Sequence, residues 1–94
     1  MEILLKENAN KGFAMAREDD KRAGIMSYSI AGTDLIIIEH TEVDTAFNGK
    51  GVGKKMLYKI VEMAREKNIK IIPLCPFAAS MFKKLVDIND VFKS

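Results

Sequence analysis

The sequence predicts a mixed α/β (α+β) fold in which four antiparallel strands precede a parallel β-α-β crossover and a C-terminal helix. Three observations carry that expectation. Through the first half, apolar and polar residues alternate, and turn residues recur about every ten positions, the mark of a meander. From Val52 the apolar spacing switches to that of one helical face. After that helix comes a short apolar run, Ile69–Leu74, with the length of a strand.

Each element follows in order. Glu2–Glu7 carries Ile3, Leu4 and Leu5, and the segment Asn8 to Gly12 supplies turn chemistry. Phe13–Glu18 sets Phe13, Met15 and Arg17 against Ala14, Ala16 and Glu18, and Asp19-Asp20 turns the chain. In Ile25–Ile30, Met26, Tyr28 and Ile30 oppose Ser27 and Ser29, with Gly24 marking a bulge or the strand start. Gly32 to Asp34 turns again, and Asp34–Val43, apolar throughout Leu35–Ile38, reads as the strongest strand. Val52, Met56, Leu57, Ile60, Val61 and Ala64 then form a helical stripe. Arg65 and Lys67 complement the dipole in the last turn, and Asn68 suits a left-handed stop. A strand–helix–strand connection implies a parallel pair with a right-handed crossover, so Ile69–Leu74 belongs beside Asp34–Val43. Pro73 puts it at or near an edge. Phe77, Met81, Phe82, Leu85 and Val86 recur at helical spacing behind Pro76, which suits a first turn. Asp87–Ser94 reads as a tail whose Val91 and Phe92 dock on the core. Met56, Met63, Met81 and Phe82 read as core, while nothing selects Tyr28 or Tyr58 as a substrate contact.

The composition narrows the function classes. At 94 residues the chain allows one domain, residues 1–94, with a thin core. Its 48% hydrophobic content is too high for a disordered chain. A net charge of +2 is too even to argue for nucleic acid as a partner. The longest apolar run, Ile71–Ala79, is far too short to span a bilayer, so no membrane partner is expected. One Cys and one His cannot close a His/Cys zinc site, so no metal is expected. A lone cysteine without a leader-like N-terminus predicts a reducing, cytoplasmic setting.

Chemistry concentrates between Val43 and the long helix. Gly49, Gly51 and Gly53 recur at every second position, able to expose successive backbone N–H groups on one concave surface. The helix behind them adds its own unpaired N–H groups and the positive end of its dipole, and Lys50, Lys54 and Lys55 add fixed charge. Such a cradle suits a pyrophosphate. The spacing fits neither the Walker pattern, which needs a hydroxyl after Gly-Lys, nor the dinucleotide G-x-G-x-x-G fingerprint. Short glycine patterns are weak signals, and the lesser alternative is a flexible turn before a glycine-tolerant helix start.

His40 and Glu42 share one face of the strand that ends at this loop, and Thr41 and Val43 take the other. A His or Glu there can take a proton from an attacking ammonium, or be only a solvated strand end. Cys75 precedes Pro76 and would stand at a helix N-terminus, where the dipole favours negative charge. The parallel pairing brings Val43 and Cys75 to one sheet edge, the edge where open sheets bind ligands. The alternative is a small buried hydrophobe.

Three segments coincide: His40-Thr41-Glu42-Val43, Asn48-Gly49-Lys50-Gly51-Val52-Gly53, and Pro73-Leu74-Cys75-Pro76-Phe77. Together they resemble the minimal branch of the GNAT N-acetyltransferase family, over nearly the whole chain. The glycine segment is similar to GNAT motif A, Gln/Arg-x-x-Gly-x-Gly/Ala, with Asn48 where Gln or Arg is expected, so the loop lacks a longer or cationic donor. The resemblance implies acetyl-CoA as cosubstrate, bound in a cleft where the motif-A strand and the next strand splay apart. It implies that Thr41, Glu42 and Val43 meet the pantetheine arm and that backbone groups of Asn48, Gly49, Lys50, Gly51, Val52, Gly53 and Lys54 take the pyrophosphate. Cys75, Pro76 and Phe77 would line the same cleft. The thioester would point towards His40, Glu42 and Cys75 as catalytic candidates, with direct transfer to an unidentified amine. Cys75 would carry the acyl group or position the thioester.

Two other classes stay open. One is a CoA-binding or regulatory module with the same fold and little catalysis, motivated by Asn48 and the shortness of the chain. The other is a basic interaction module built on Lys50, Lys54, Lys55 and Lys59, a cluster that reads more simply as a solvated helix face. The expected assembly is a monomer or weak homodimer.

Overall fold

The computed structural model describes residues 1–93. Its five strands are β1 (Glu2–Glu7), β2 (Lys11–Glu18), β3 (Lys21–Ile30), β4 (Leu35–Val43) and β5 (Lys70–Pro73), with helices α1 (Val52–Lys67) and α2 (Pro76–Lys84). Short 3₁₀ turns occupy Thr45–Phe47 and Val86–Val91. The sheet order is β1-β2-β3-β4-β5, antiparallel through β4 and parallel between β4 and β5. Ser94 lies outside the described residues.

The meander differs from expectation mainly at its turns. β2 begins at Lys11 instead of Phe13, because Asn8 Oδ1 accepts from the backbone N–H of Asn10 and Lys11 and closes the turn early. β3 begins at Lys21 instead of Ile25, since Asp19 and Asp20 both adopt positive φ (51° and 63°) and reverse the chain in two residues. Lys21 and Arg22 are polar strand residues that periodicity does not mark. Gly24 is not the start of the strand. It borders a bulge, since Ala16 pairs with Gly24 and Arg17 with Arg22, leaving Ala23 extra, and an added Cβ there would come within 3.0 Å of the Glu42 carbonyl. β5 is shorter than Ile69–Leu74 at both ends, because Ile69 N–H closes the α1 terminus and Leu74 already turns away.

Register divides the sheet into two unlike faces. Ala14, Ala16, Met26, Tyr28, Ile36, Ile38 and Ile71 face the helices and are buried. α1 packs across β1 to β4 with Val52, Met56, Leu57, Ile60, Val61 and Ala64, and α2 packs on β4 and β5 with Ala78 and Phe82. All of these belong to one buried cluster. The shortest dimension of the fold, 20 Å, has room for two layers at the spacing of about 10 Å between packed layers. Among the described residues, the opposite face of the sheet therefore has no cover of its own.

The C-terminal segment docks as expected for Val91. Ile88 and Val91 are buried, Phe92 stacks on Phe82 with centroids 5.4 Å apart, and Phe92 bridges to Ile71 beside β5. Arg65 fixes this segment through both Asp90 carboxylate oxygens at 2.9 Å and the Asp87 carbonyl at 2.6 Å. Asn68 ends α1 in the left-handed region (φ 61°), as its side chain allows. Among the described residues no helix is long and apolar enough to cross a membrane.

Candidate functional site

β4 is irregular where it matters. Ser27 pairs with His40 but the next residue, Tyr28, pairs with Ile38, so Glu39 is an extra residue and forms a bulge. Strict alternation from Ile36 and Ile38 would send His40 and Glu42 into the core. The bulge reverses the phase, so Thr41 and Val43 face the helices while His40 and Glu42 face outward, each with 59% of its side chain exposed. His40 Nε2 lies 2.9 Å from Glu42 Oε1. That contact holds the Glu42 carboxyl below the usual carboxylate range, with the Arg22 charge assisting.

On the other side, β4 loses its neighbour. β5 pairs only as far as Ile38 with Pro73, and then Leu74 and Cys75 both donate to the Ile38 carbonyl as the chain turns into α2. Asp44 N–H donates to Ala23 in the opposite direction, towards β3. Alternation therefore turns the backbone groups of Thr41 and Val43 towards the gap that β5 leaves. Pro73 is tolerated because its strand is ending there.

The gap leads to the glycine segment. Asp44 Oδ1 accepts from Ala46 N–H and starts the Thr45–Phe47 turn, which periodicity cannot reveal. Gly49 and Gly51 adopt positive φ (80° and 71°), and Gly51 is the N-cap of α1 with no side chain to satisfy the first-turn N–H groups. No acidic residue stands in that turn. Gly53 has a different reason to be glycine: an added Cβ would meet the Phe77 ring at 2.5 Å, so Gly53 lets the starts of α1 and α2 touch. A cleft of about 360 Å³ opens here, lined by Val43, Asn48, Gly49, Gly51, Val52, Gly53, Lys54 and Phe77, together with Phe47 and Met81. Phe47 and Met81 were not expected at a site. An aromatic inside a glycine loop is the one sequence signal for Phe47, and Met81 is only half-buried instead of fully in the core.

The lysines divide. Lys54 lines the cleft and stands over the Tyr58 ring at 6.0 Å. Lys50 stands over Phe47 at 5.4 Å and lies 3.9 Å from Glu18. Lys55 opens on a neighbouring groove with Lys59 and Tyr58.

Cys75 is 7% exposed and is the N-cap of α2, its Sγ accepting from Ala78 N–H at 3.4 Å, with Pro76 in the first turn. Its Sγ lies 3.2 Å from Thr41 Oγ1. The candidate side chains thus form two pairs: Thr41 with Cys75 on the helix side of β4, and His40 with Glu42 on the open side. Tyr28 is fully buried and donates to Glu7, which makes it structural, and Tyr58 donates to Asp87 of the C-terminal segment.

The comparisons agree with this architecture. Residues 12–91 match the model of the GCN5-related N-acetyltransferase family. The solution structure of a GCN5-like N-acetyltransferase candidate from Staphylococcus aureus is 35% identical, covering 97% of this chain and 88% of that one, with a TM-score of 0.72. Tetrahymena GCN5 is 16% identical over 82% of this chain and 51% of its own, with a TM-score of 0.68. A streptothricin acetyltransferase candidate from Bacillus anthracis, solved with acetyl coenzyme A, is 22% identical over 82% of this chain and 47% of its own, with a TM-score of 0.64. These last two share the fold, and this chain spans about half their length. No curated protein matches. A five-stranded sheet that releases β5 beside a bulged β4, above a glycine-opened helix, is what this family match covers, and the chain belongs to the GCN5-related N-acetyltransferase (GNAT) family.

Proposed function

We propose that this chain transfers an acetyl group from acetyl-CoA to a primary amine, with the cofactor in the gap between β4 and α2. The observation that carries the reading is the continuity of two features. The free backbone edge at Thr41 and Val43 runs directly into the uncapped, glycine-bearing start of α1. The first offers strand-like hydrogen bonds to an amide-containing arm, and the second offers N–H donors and a positive dipole end to a pyrophosphate. Lys54 adds charge, and the absence of acids from the first turn of α1 leaves that charge uncancelled.

When bound, acetyl-CoA supplies the acetyl group as a thioester: the amine nitrogen bonds to the acetyl carbon, the carbon–sulfur bond breaks, and the thiolate leaves with the proton that nitrogen sheds. His40 accepts the first proton, from the incoming ammonium. Glu42 stays ionised beside it and holds the imidazole in place. Thr41 and Cys75 meet the cofactor from the helix side of β4. Because they are separated from His40 by the strand, direct transfer to the amine is simpler than transfer through Cys75. The same separation favours, as a second reading, a CoA-binding module with little turnover.

Titration with acetyl-CoA, followed residue by residue by NMR, tests the site. Responses are expected at Thr41–Val43, Asn48–Lys54 and Cys75–Phe77. Gly51→Glu puts a carboxylate into the cradle and is expected to weaken binding at least tenfold, beyond what Gly51→Ala does through backbone strain of about 1 kcal/mol. Equal binding by the two variants would rule out the cradle. Acetylation of an amine that falls at least tenfold in His40→Ala would exclude the binding-module reading.

A further inference from the structure

We propose that the acceptor amine is carried on a polypeptide segment rich in acidic and apolar residues, which lies across the uncovered face of the sheet. This rests on the acetyl-transfer reading above. On that face, pairing sets Leu4, Met15, Ile25 and Glu42 in one row and Lys6, Phe13, Ser27 and His40 in the next. Ile37 and Ile72 form a second apolar pair, in a third row with Lys11 and Ser29. Leu4, Phe13, Met15, Ile25, Ile37 and Ile72 are all half-buried, and none joins the buried cluster or packs against it. Apolar side chains spread over an uncovered sheet face of a small fold suit a partner that covers them. His40 and Glu42 stand in the same rows, so whatever brings an amine to them also meets the platform.

Shape separates the substrate classes. The hollow beside Glu42, lined with Arg22, Ile25 and Asp44, measures about 260 Å³. Sites that enclose small ligands run from roughly 300 to 1,000 Å³ and have walls. A hollow of this size takes the end of one amine-bearing group and leaves the apolar rows outside it uncovered. A polypeptide supplies the missing cover with its own apolar side chains.

Charge selects its composition. Charge on this face is divided: Lys6 on β1 and Lys11 on β2 belong to no ion pair among the described residues, whereas Glu42 stands on β4 with Arg22 beside it. Carboxylates of an acceptor segment would meet those cations, while its ammonium meets Glu42.

The test uses the full chain with acetyl-CoA and three acceptors. One is a terminally blocked peptide with a single lysine between Leu and Phe, flanked by Asp and Glu. Another is a blocked peptide with the lysine among Arg, Ser and Gly, and the third is spermidine. Acetyl-CoA binding is measured by calorimetry on the same samples. The acidic apolar peptide is expected to be acetylated with kcat/KM at least tenfold above the other two, and to shift the amides of Phe13, Ile25 and His40. The double variant Lys6→Glu, Lys11→Glu should cut that preference at least fivefold and leave acetyl-CoA affinity unchanged. Spermidine or the basic peptide turning over as fast would overturn the proposal. So would bound acetyl-CoA with no transfer to the acidic peptide, or open-face amides that respond to protein concentration alone. Failure to bind acetyl-CoA would instead remove the acetyl-transfer reading on which it rests.

Discussion

Gly51 and Gly53 are glycines for different reasons, and that difference decides how each responds to substitution. Gly51 needs a positive φ and has open space around it. Gly53 is helical, and the volume a side chain would take is filled by Phe77, a residue 37% exposed. Ala is favoured over Gly by about 0.8–1.0 kcal/mol in a helix interior, and by less in the first turn, where Gly53 stands. Gly53→Ala should therefore trade that gain against a displaced Phe77 ring, leaving thermal stability nearly unchanged while weakening acetyl-CoA binding. In a Phe77→Ala background the obstacle is gone, and the same Gly53→Ala change should stabilise by about 0.5 kcal/mol in chemical denaturation, part of the interior value. If Gly53→Ala is as costly with Phe77 absent, the ring is not the reason for the glycine. None of this can be read from the spacing of three glycines, since the sequence does not say what packs against each.

Among the elements, β4 carries the most consequence. Its apolar half, Leu35–Ile38, was legible because continuous apolar residues mark a strand buried within a sheet. That His40 and Glu42 share one face was legible too. That this face points away from the core was not, because the phase depends on whether Glu39 is counted in the ladder. A bulge also bends its strand and raises the local twist, which helps β4 and β5 part beyond Ile38. Deleting Glu39 should leave the faces as they are, since His40 still follows Ile38 on the opposite side, but should straighten β4. The deletion variant is expected to fold, to keep the His40–Glu42 contact, and to bind acetyl-CoA several-fold more weakly. Unchanged affinity in a titration would show that the bulge does not shape the cleft. The polar starts of β2 and β3 escaped periodicity, because residues such as Lys11, Lys21 and Arg22 extend strands through backbone pairing alone.

Across the whole molecule, one tie joins the far edge of the sheet to the end of α1. Tyr28 lies over Gly12, where any Cβ would strike its ring at 2.4 Å, and donates to Glu7 Oε1 at 2.7 Å. Lys67 reaches Glu7 Oε2 at 3.2 Å. The Tyr28 bond holds the Glu7 carboxyl below its ordinary value, with Lys67 assisting, while burial and the Glu7 charge push the Tyr28 phenol well up. The signs are opposite. The Glu7 contribution is present above the unfolded carboxyl value and fades as pH falls through the lowered folded one. The Tyr28 contribution is complete below the unfolded phenol value and is lost as pH rises towards the raised one. Tyr28→Phe is expected to cost about 1–2 kcal/mol near neutral pH and to flatten the fall in stability at both extremes. Denaturation curves across pH measure this, and an unchanged alkaline limb would show that the phenol is not part of the tie.

The sequence by itself determined the order of the five strands and two α-helices, the parallel pairing, both α1 boundaries and the place of Cys75 at a helix start, but not the end of α2 at Lys84, short of Leu85 and Val86, nor the 3₁₀ turns at Thr45–Phe47 and Val86–Val91. The features it determined follow from local chemistry: apolar period, Asn68 in the left-handed region, Pro76 in a first turn. Tertiary structure decided what depends on contacts between distant segments. It paired Thr41 with Cys75 and His40 with Glu42 on opposite sides of β4, assigned Gly53 to Phe77, and brought Phe47 and Met81 to the cleft. Among the described residues it also left one face of the sheet uncovered, because α1 and α2 both pack on the other.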